Sequence, residues 1–193
     1  MPAAETVTAL RAEIEVVFDL FDRWCARTPE ELAVVPGDVG WSMSLIIEQV
    51  GIVNRYLLLT LGKGVETARR RAARGVPLPD GESDLAICGE IADPGAFDWQ
   101  PPQHMVPTGA LAPEEARAVL ARQRRECLLL LERMARGEGL LHTVRMSVRN
   151  LGRIDMYQWL WFLLSHARRH LTQMERAAAI ADRDIHLQTH PPD

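Results

Sequence analysis

His166 and His170 stand four residues apart in a run, Trp159 to Gln173, that contains no Pro and no Gly. On a helix that spacing sets two imidazoles on one face, about 6 Å apart. It is a common way for one helix to offer two nitrogen ligands to a transition metal, with a third ligand supplied from elsewhere. The pair also falls on a stripe of alternating three- and four-residue steps: Met156, Trp159, Leu163, His166, His170, Gln173, Ala177, Ile180. Such a stripe is the seam of a packed helix, and polar groups placed there need partners. Two chemistries are open. One is a metal held by imidazoles. The other is a buried hydrogen-bond cluster of His166, His170 and Gln173 with Gln49 or Gln123, which sets helix register without reaction.

Four long amphipathic helices are expected to position this group. The first covers residues 5–28, with Val7, Leu10, Ile14, Val17, Phe21 and Trp24 inward; Pro29 and the Pro36, Gly37 pair close it. The second covers residues 41–61, with Ser42 as N-cap and a stripe of Leu45, Gln49, Ile52, Tyr56 and Leu59; Gly62 and Gly64 are read as its end. The third covers residues 113–136, opened by Pro113, Glu114 and Glu115, with Ala116, Leu120, Gln123, Cys127, Leu130 and Met134 inward. The fourth is residues 155–182. The expected core includes Phe21, Trp24, Leu45, Ile52, Leu120, Leu130, Trp159 and Leu163.

Residues 63–113 form a long Pro- and Gly-rich connection, long enough to let the second and third helices run parallel. Residues 65–74 within it suggest a short helix carrying Arg69, Arg70, Arg71 and Arg74, read as a solvated face. Residues 140–154 are a linker, and no strand signal is evident. The fold class is all-α: a four-helix bundle over residues 1–182, with a tail at 183–193 that carries His186 and His190. Arg168 and Arg169 turn away from the stripe, toward solvent or a neighbouring acid. Trp161 cannot share the seam with Trp159, so it meets the central connection or a second subunit.

Composition excludes several classes. At 47% hydrophobic and 25% charged, the chain is ordinary for one globular domain, and its net charge of −4 argues against sequence-independent nucleic-acid binding. Cys25, Cys88 and Cys127 are scattered without a CxxC, so neither a zinc ribbon nor a disulfide framework is indicated. The N-terminus shows no basic region followed by an apolar run. No apolar stretch approaches the roughly 20 residues of a membrane span. A cytoplasmic location is expected.

Two segments carry a resemblance to the DinB-like superfamily, in particular the branch with metal-dependent hydrolases and thiol transferases. Gly40-Trp41-Ser42 through Glu48, Gln49 and Val50 resembles the family's Trp-Ser start of the second helix. Leu151-Gly152-Arg153-Ile154-Asp155, leading into His166, His170 and Gln173, is similar to its Leu-Gly-x-Leu-Thr entry and His-x-x-x-His-x-x-Gln helix. The resemblance implies a divalent metal, nickel or zinc, held by three His, two of which match His166 and His170. The third matches Gln49, where an amide replaces imidazole. Glu48 is the runner-up ligand, and His104 in the connection is a free candidate. Gln173 would support the ligands from the next turn. The implied activity is hydrolysis, or transfer of a low-molecular-weight thiol, on a small-molecule substrate, in a chain that resembles proteins often found as homodimers. The competing expectation is a metal-free, catalytically inactive binding or stress-related bundle.

Overall fold

The structure, a computed structural model, describes residues 2–35, 40–79, 81–98 and 100–189. Among the described residues five α-helices carry the fold: α1 (Ala3–Cys25), the short α2 (Pro29–Leu32), α3 (Met43–Ala73), α4 (Pro113–Glu132) and α5 (Met156–Thr189). The starts are set by caps. Thr28 and Glu31 form a reciprocal capping box around Pro29. Ser42 Oγ accepts from Leu45 N at 3.3 Å, and Glu115 Oε2 accepts from Ala112 N at 3.0 Å. Asp155 caps α5, accepting the N–H groups of Tyr157 and Gln158 at 2.8 and 2.9 Å, while Gln158 Oε1 accepts Asp155 N.

α1 packs on α4 and α5, α3 packs on the same two, and α1 barely meets α3, so the long helices stand at the corners of a square. Their directions follow from particular contacts. Asp22 pairs with Arg117 at 2.6 Å and Asp19 with Arg124 at 2.7 Å, so α1 and α4 are antiparallel. Gln123 Nε2 donates to Gly51 O at 2.7 Å and Arg133 pairs with Glu66 at 2.6 Å, so α3 and α4 run parallel, as the long connection requires. The core holds Phe21, Trp24, Leu120, Leu130, Trp159 and Leu163, as expected from the stripes.

Several expectations are overturned. α3 does not stop at Gly62 and Gly64 but runs on to Ala73, so the Arg cluster lies on its last turns rather than on a separate helix. Gly64 is there for close approach: a Cβ would lie 2.0 Å from Met156 Sδ on α5. The α3 stripe is also rotated. Gln49 is buried, but Leu45 and Ile52 are only half-buried, and Tyr56 and Leu59 are exposed. The inward residues are Ile46, Val50, Val53, Leu61 and Val65. The expected linker 140–154 is instead largely a hairpin that runs on to Asp155, of β1 (Thr143–Met146) and β2 (Gly152–Asp155), antiparallel with Thr143 opposite Asp155. Arg149 and Asn150 take positive φ at its turn. α5 continues to Thr189, past the expected boundary at 182. Pro36, Gly37 and His190 lie outside the described residues, as do the side chains of Ile180 and His186.

The connection carries 3₁₀ turns at Leu85–Ala92 and Gln103–Met105, and the first packs along α5. Trp161 is half-buried against the core. By length and hydropathy alone α3 could cross a membrane, but 56% of its most apolar window is buried against the other helices, as in a core helix.

A candidate metal centre in the bundle core

α5 delivers His166 and His170 into the bundle, 1% and 6% exposed. Their ring centroids are 4.8 Å apart at 75°, edge to face. Burial drives His166 well below the ordinary imidazole range, and the neighbouring His170 and Arg169 add to this. Burial likewise takes His170 down to about 4, against an opposing pull from Gln173. Both rings are therefore neutral at physiological pH, the form that ligates metal. Gln173 sits beside His170 but short of hydrogen-bond geometry: its Oε1 and both ring nitrogens of His170 have no hydrogen-bond partner.

α3 supplies the opposite wall. Gly64 meets Met156, and Leu57 O accepts from Trp159 Nε1 at 3.0 Å, so α3 and α5 run antiparallel. Continuing that register along both helices brings Gln49 level with the His166–His170 turn. Gln49 is 1% exposed and its Oε1 has no hydrogen-bond partner. Buried acceptors without donors are rare in folded proteins and point to a water or a cation between them. The donors available at this level are neutral imidazole nitrogen and amide oxygen. Among the described residues no group of three or more His, Cys, Asp or Glu stands in ligand geometry.

The other candidates go elsewhere. Both Glu48 oxygens bind the end of the connection: Oε1 accepts from Thr108 N and Oγ1 at 3.1 and 3.0 Å, and Oε2 accepts from Gly109 N at 2.8 Å. That carboxylate is a structural tie. His104 is exposed, its ring edge-on to Tyr56 with centroids 5.0 Å apart. Arg168 meets an acid as expected, donating to Glu13 at 2.5 Å. Arg169 contradicts expectation. It is 6% exposed and donates to the carbonyls of Asp93, Pro94 (3.0 Å) and Phe97 (2.6 Å), with its guanidinium over the Phe97 ring. It pins the connection onto α5 beside His170. Sequence periodicity had no means of finding that role, because its partners are backbone carbonyls. Asn54 was also missed: it is fully buried on α3, and neither amide atom has a hydrogen-bond partner.

All three cysteines are buried and unpaired. Burial pushes the Cys25 thiol up to about 11 and the Cys88 thiol up to about 12, and raises Cys127 further still. None is poised as a thiolate at neutral pH.

The fold is a four-helix bundle with a parallel second and third long helix, with two buried imidazoles on its last helix. The chain belongs to the DinB superfamily, whose family model matches residues 9–174, from the first helix to just beyond Gln173. No curated protein and no solved structure matches it.

Proposed function

We propose that the chain is a metal-dependent enzyme acting on a small molecule, with His166 and His170 as nitrogen ligands to a divalent transition metal, nickel or zinc, and Gln49 Oε1 as the third ligand. What supports this reading is that two buried imidazoles, held neutral, and a buried Gln49 amide oxygen without a donor fall at the same level of antiparallel α5 and α3. A metal held there supplies Lewis acidity, lowering the pKa of a coordinated water or thiol. The chain's own residues do the rest. Burial keeps both imidazoles deprotonated to well below neutral pH, so protons do not compete for the ligand lone pairs. Gln173, beside His170 on the next turn, would support the ligands without bonding the ring directly, and Arg169 holds the connection against α5.

The reaction class that fits is hydrolysis, or transfer of a low-molecular-weight thiol to an electrophile. In the second case the thiol must come from the substrate, since the protein's own thiols are buried and protonated. One observation favours the alternative of a metal-free binding bundle: no anionic ligand stands with the histidines among the described residues to balance a dication. Cobalt(II) substitution separates the two. The reading expects d–d absorption bands that shift in Gln49→Ala and vanish in His166→Ala, together with thiol consumption by an electrophile or ester hydrolysis that is lost in parallel. Absence of the bands in the wild-type chain favours the metal-free bundle.

A further inference from the structure

A cavity lies beside α3, away from the histidines. It has a volume of about 500 Å³ and is set between the parallel α3 and α4. Its apolar wall is made of Ile52, Leu59 and Val119. Ile52 and Leu59 belong to the apolar stripe that the sequence assigns to the core and the core does not use; Leu59 is 54% exposed. The stripe is therefore apolar for a reason other than core packing. The inner wall is fixed, because Gln123 ties α4 to α3 through Gly51 O. The rim is fixed too. Ala110 and Leu111 edge the cavity immediately after the Thr108–Gly109 turn, which Glu48 holds with three hydrogen bonds. A preformed concave apolar site of this size matches ordinary small-molecule pockets, about 300–1,000 Å³.

The rim also carries charge. Arg55 on α3 and Arg122 on α4 line opposite sides, and among the described residues neither has an ion-pair partner within 4 Å. Glu126 shares the rim, one turn from Arg122. The carboxylate of Glu48 is engaged by its three donors and points to the turn. Two uncommitted guanidinium groups across an apolar cavity suit a molecule with an apolar body and one anionic head. We infer that this cavity is a binding site for a small apolar carboxylate, its body against Ile52, Leu59 and Val119 and its carboxylate between Arg55 and Arg122. The site is independent of the metal centre, and neither His166, His170 nor Gln49 lines it.

The test uses the full chain and the fluorescent probe 8-anilinonaphthalene-1-sulfonate, which combines an apolar body with one anion. One probe per chain is expected, displaced by decanoate roughly three- to tenfold more effectively than by the neutral decan-1-ol. The double variant Arg55→Ala/Arg122→Ala should weaken decanoate roughly three- to tenfold, the range for exposed ion pairs, and leave decan-1-ol unchanged. Ala110→Trp and Leu59→Trp fill the cavity from exposed positions and should each abolish displaceable binding. Near-ultraviolet circular dichroism confirms that each variant is folded, and two independent fillers guard against one that is not. The inference is overturned if decanoate and decan-1-ol compete equally, or if both folded fillers bind the probe like the parent chain. It is overturned equally if sedimentation shows a dimer that the fillers dissociate, since the face would then be an interface between copies.

Discussion

Acidification of the metal-free protein should cost stability through the histidine pair, and the size of the effect follows from His170. Its folded-state value of about 4 lies below the ordinary 6.5 because burial disfavours the imidazolium. A depressed value means that the unfolded chain binds the proton more readily. The stabilisation is therefore complete above pH 6.5 and is lost as pH falls through 4. The gap corresponds to about 3 kcal/mol, most of it gone by pH 4.5. His166 acts in the same direction, being driven down by burial and by its neighbour, and the partly exposed His142 adds a smaller contribution of the same sign. Asp155 opposes them: burial holds its carboxyl above 3.8 despite hydrogen bonds from Gln158, Ser83 and Tyr157, so the native state gains its proton first. The assay is urea denaturation followed by tryptophan fluorescence in chelator, from pH 7.5 to 4.5. The midpoint should fall steeply for the parent chain and less for His170→Leu. A parent midpoint that does not move, or a His170→Leu variant with the parent's full slope, refutes the burial of neutral imidazoles.

Four further substitutions separate packing from chemistry. Gly62 has open space around it in mid-helix, so Gly62→Ala should stabilise by roughly 0.5–1 kcal/mol, whereas Gly64→Ala drives a Cβ into Met156 and should destabilise by about 1–3 kcal/mol; urea midpoints of opposite sign are expected. Arg169→Ala leaves three carbonyls without their donor and should cost about 2 kcal/mol or more, with faster amide exchange over residues 93–97. Gln49→His puts imidazole where an amide now stands and should tighten nickel or zinc binding by at least about tenfold in calorimetric titration.

Much of the architecture was legible because α1 and α4 present a single seam to the core and the inward stripe of α5 lies within its wider buried surface. α1 and α4 each keep one stripe of apolar residues at three- and four-residue steps, and nearly all of those residues are buried; the α5 stripe is buried too as far as Ala177, together with Leu160, Phe162, Leu164, Ala167 and Leu171 on its other faces. α3 was harder for a physical reason. It is apolar on two faces, one for the core and one for the cavity beside α4, so periodicity could not say which faced inward. Its glycines read as a stop because a helix-interior Gly is costly unless a neighbour demands the space, and that neighbour, Met156, is far away in sequence. The hairpin escaped notice because its strands have four residues each and derive their order from the helix ends they bridge. Within the site, the inward placement of His166, His170 and Gln49 could be read from spacing, whereas the loss of Glu48 to the Thr108–Gly109 turn could not.

Metal content per chain, measured by elemental analysis of the purified protein and of His166→Ala, bears most directly on the bundle site. We expect close to one equivalent of nickel or zinc in the parent chain and almost none in a folded His166→Ala variant. A parent chain that carries no metal, and takes up none when either ion is added at neutral pH, contradicts the assignment.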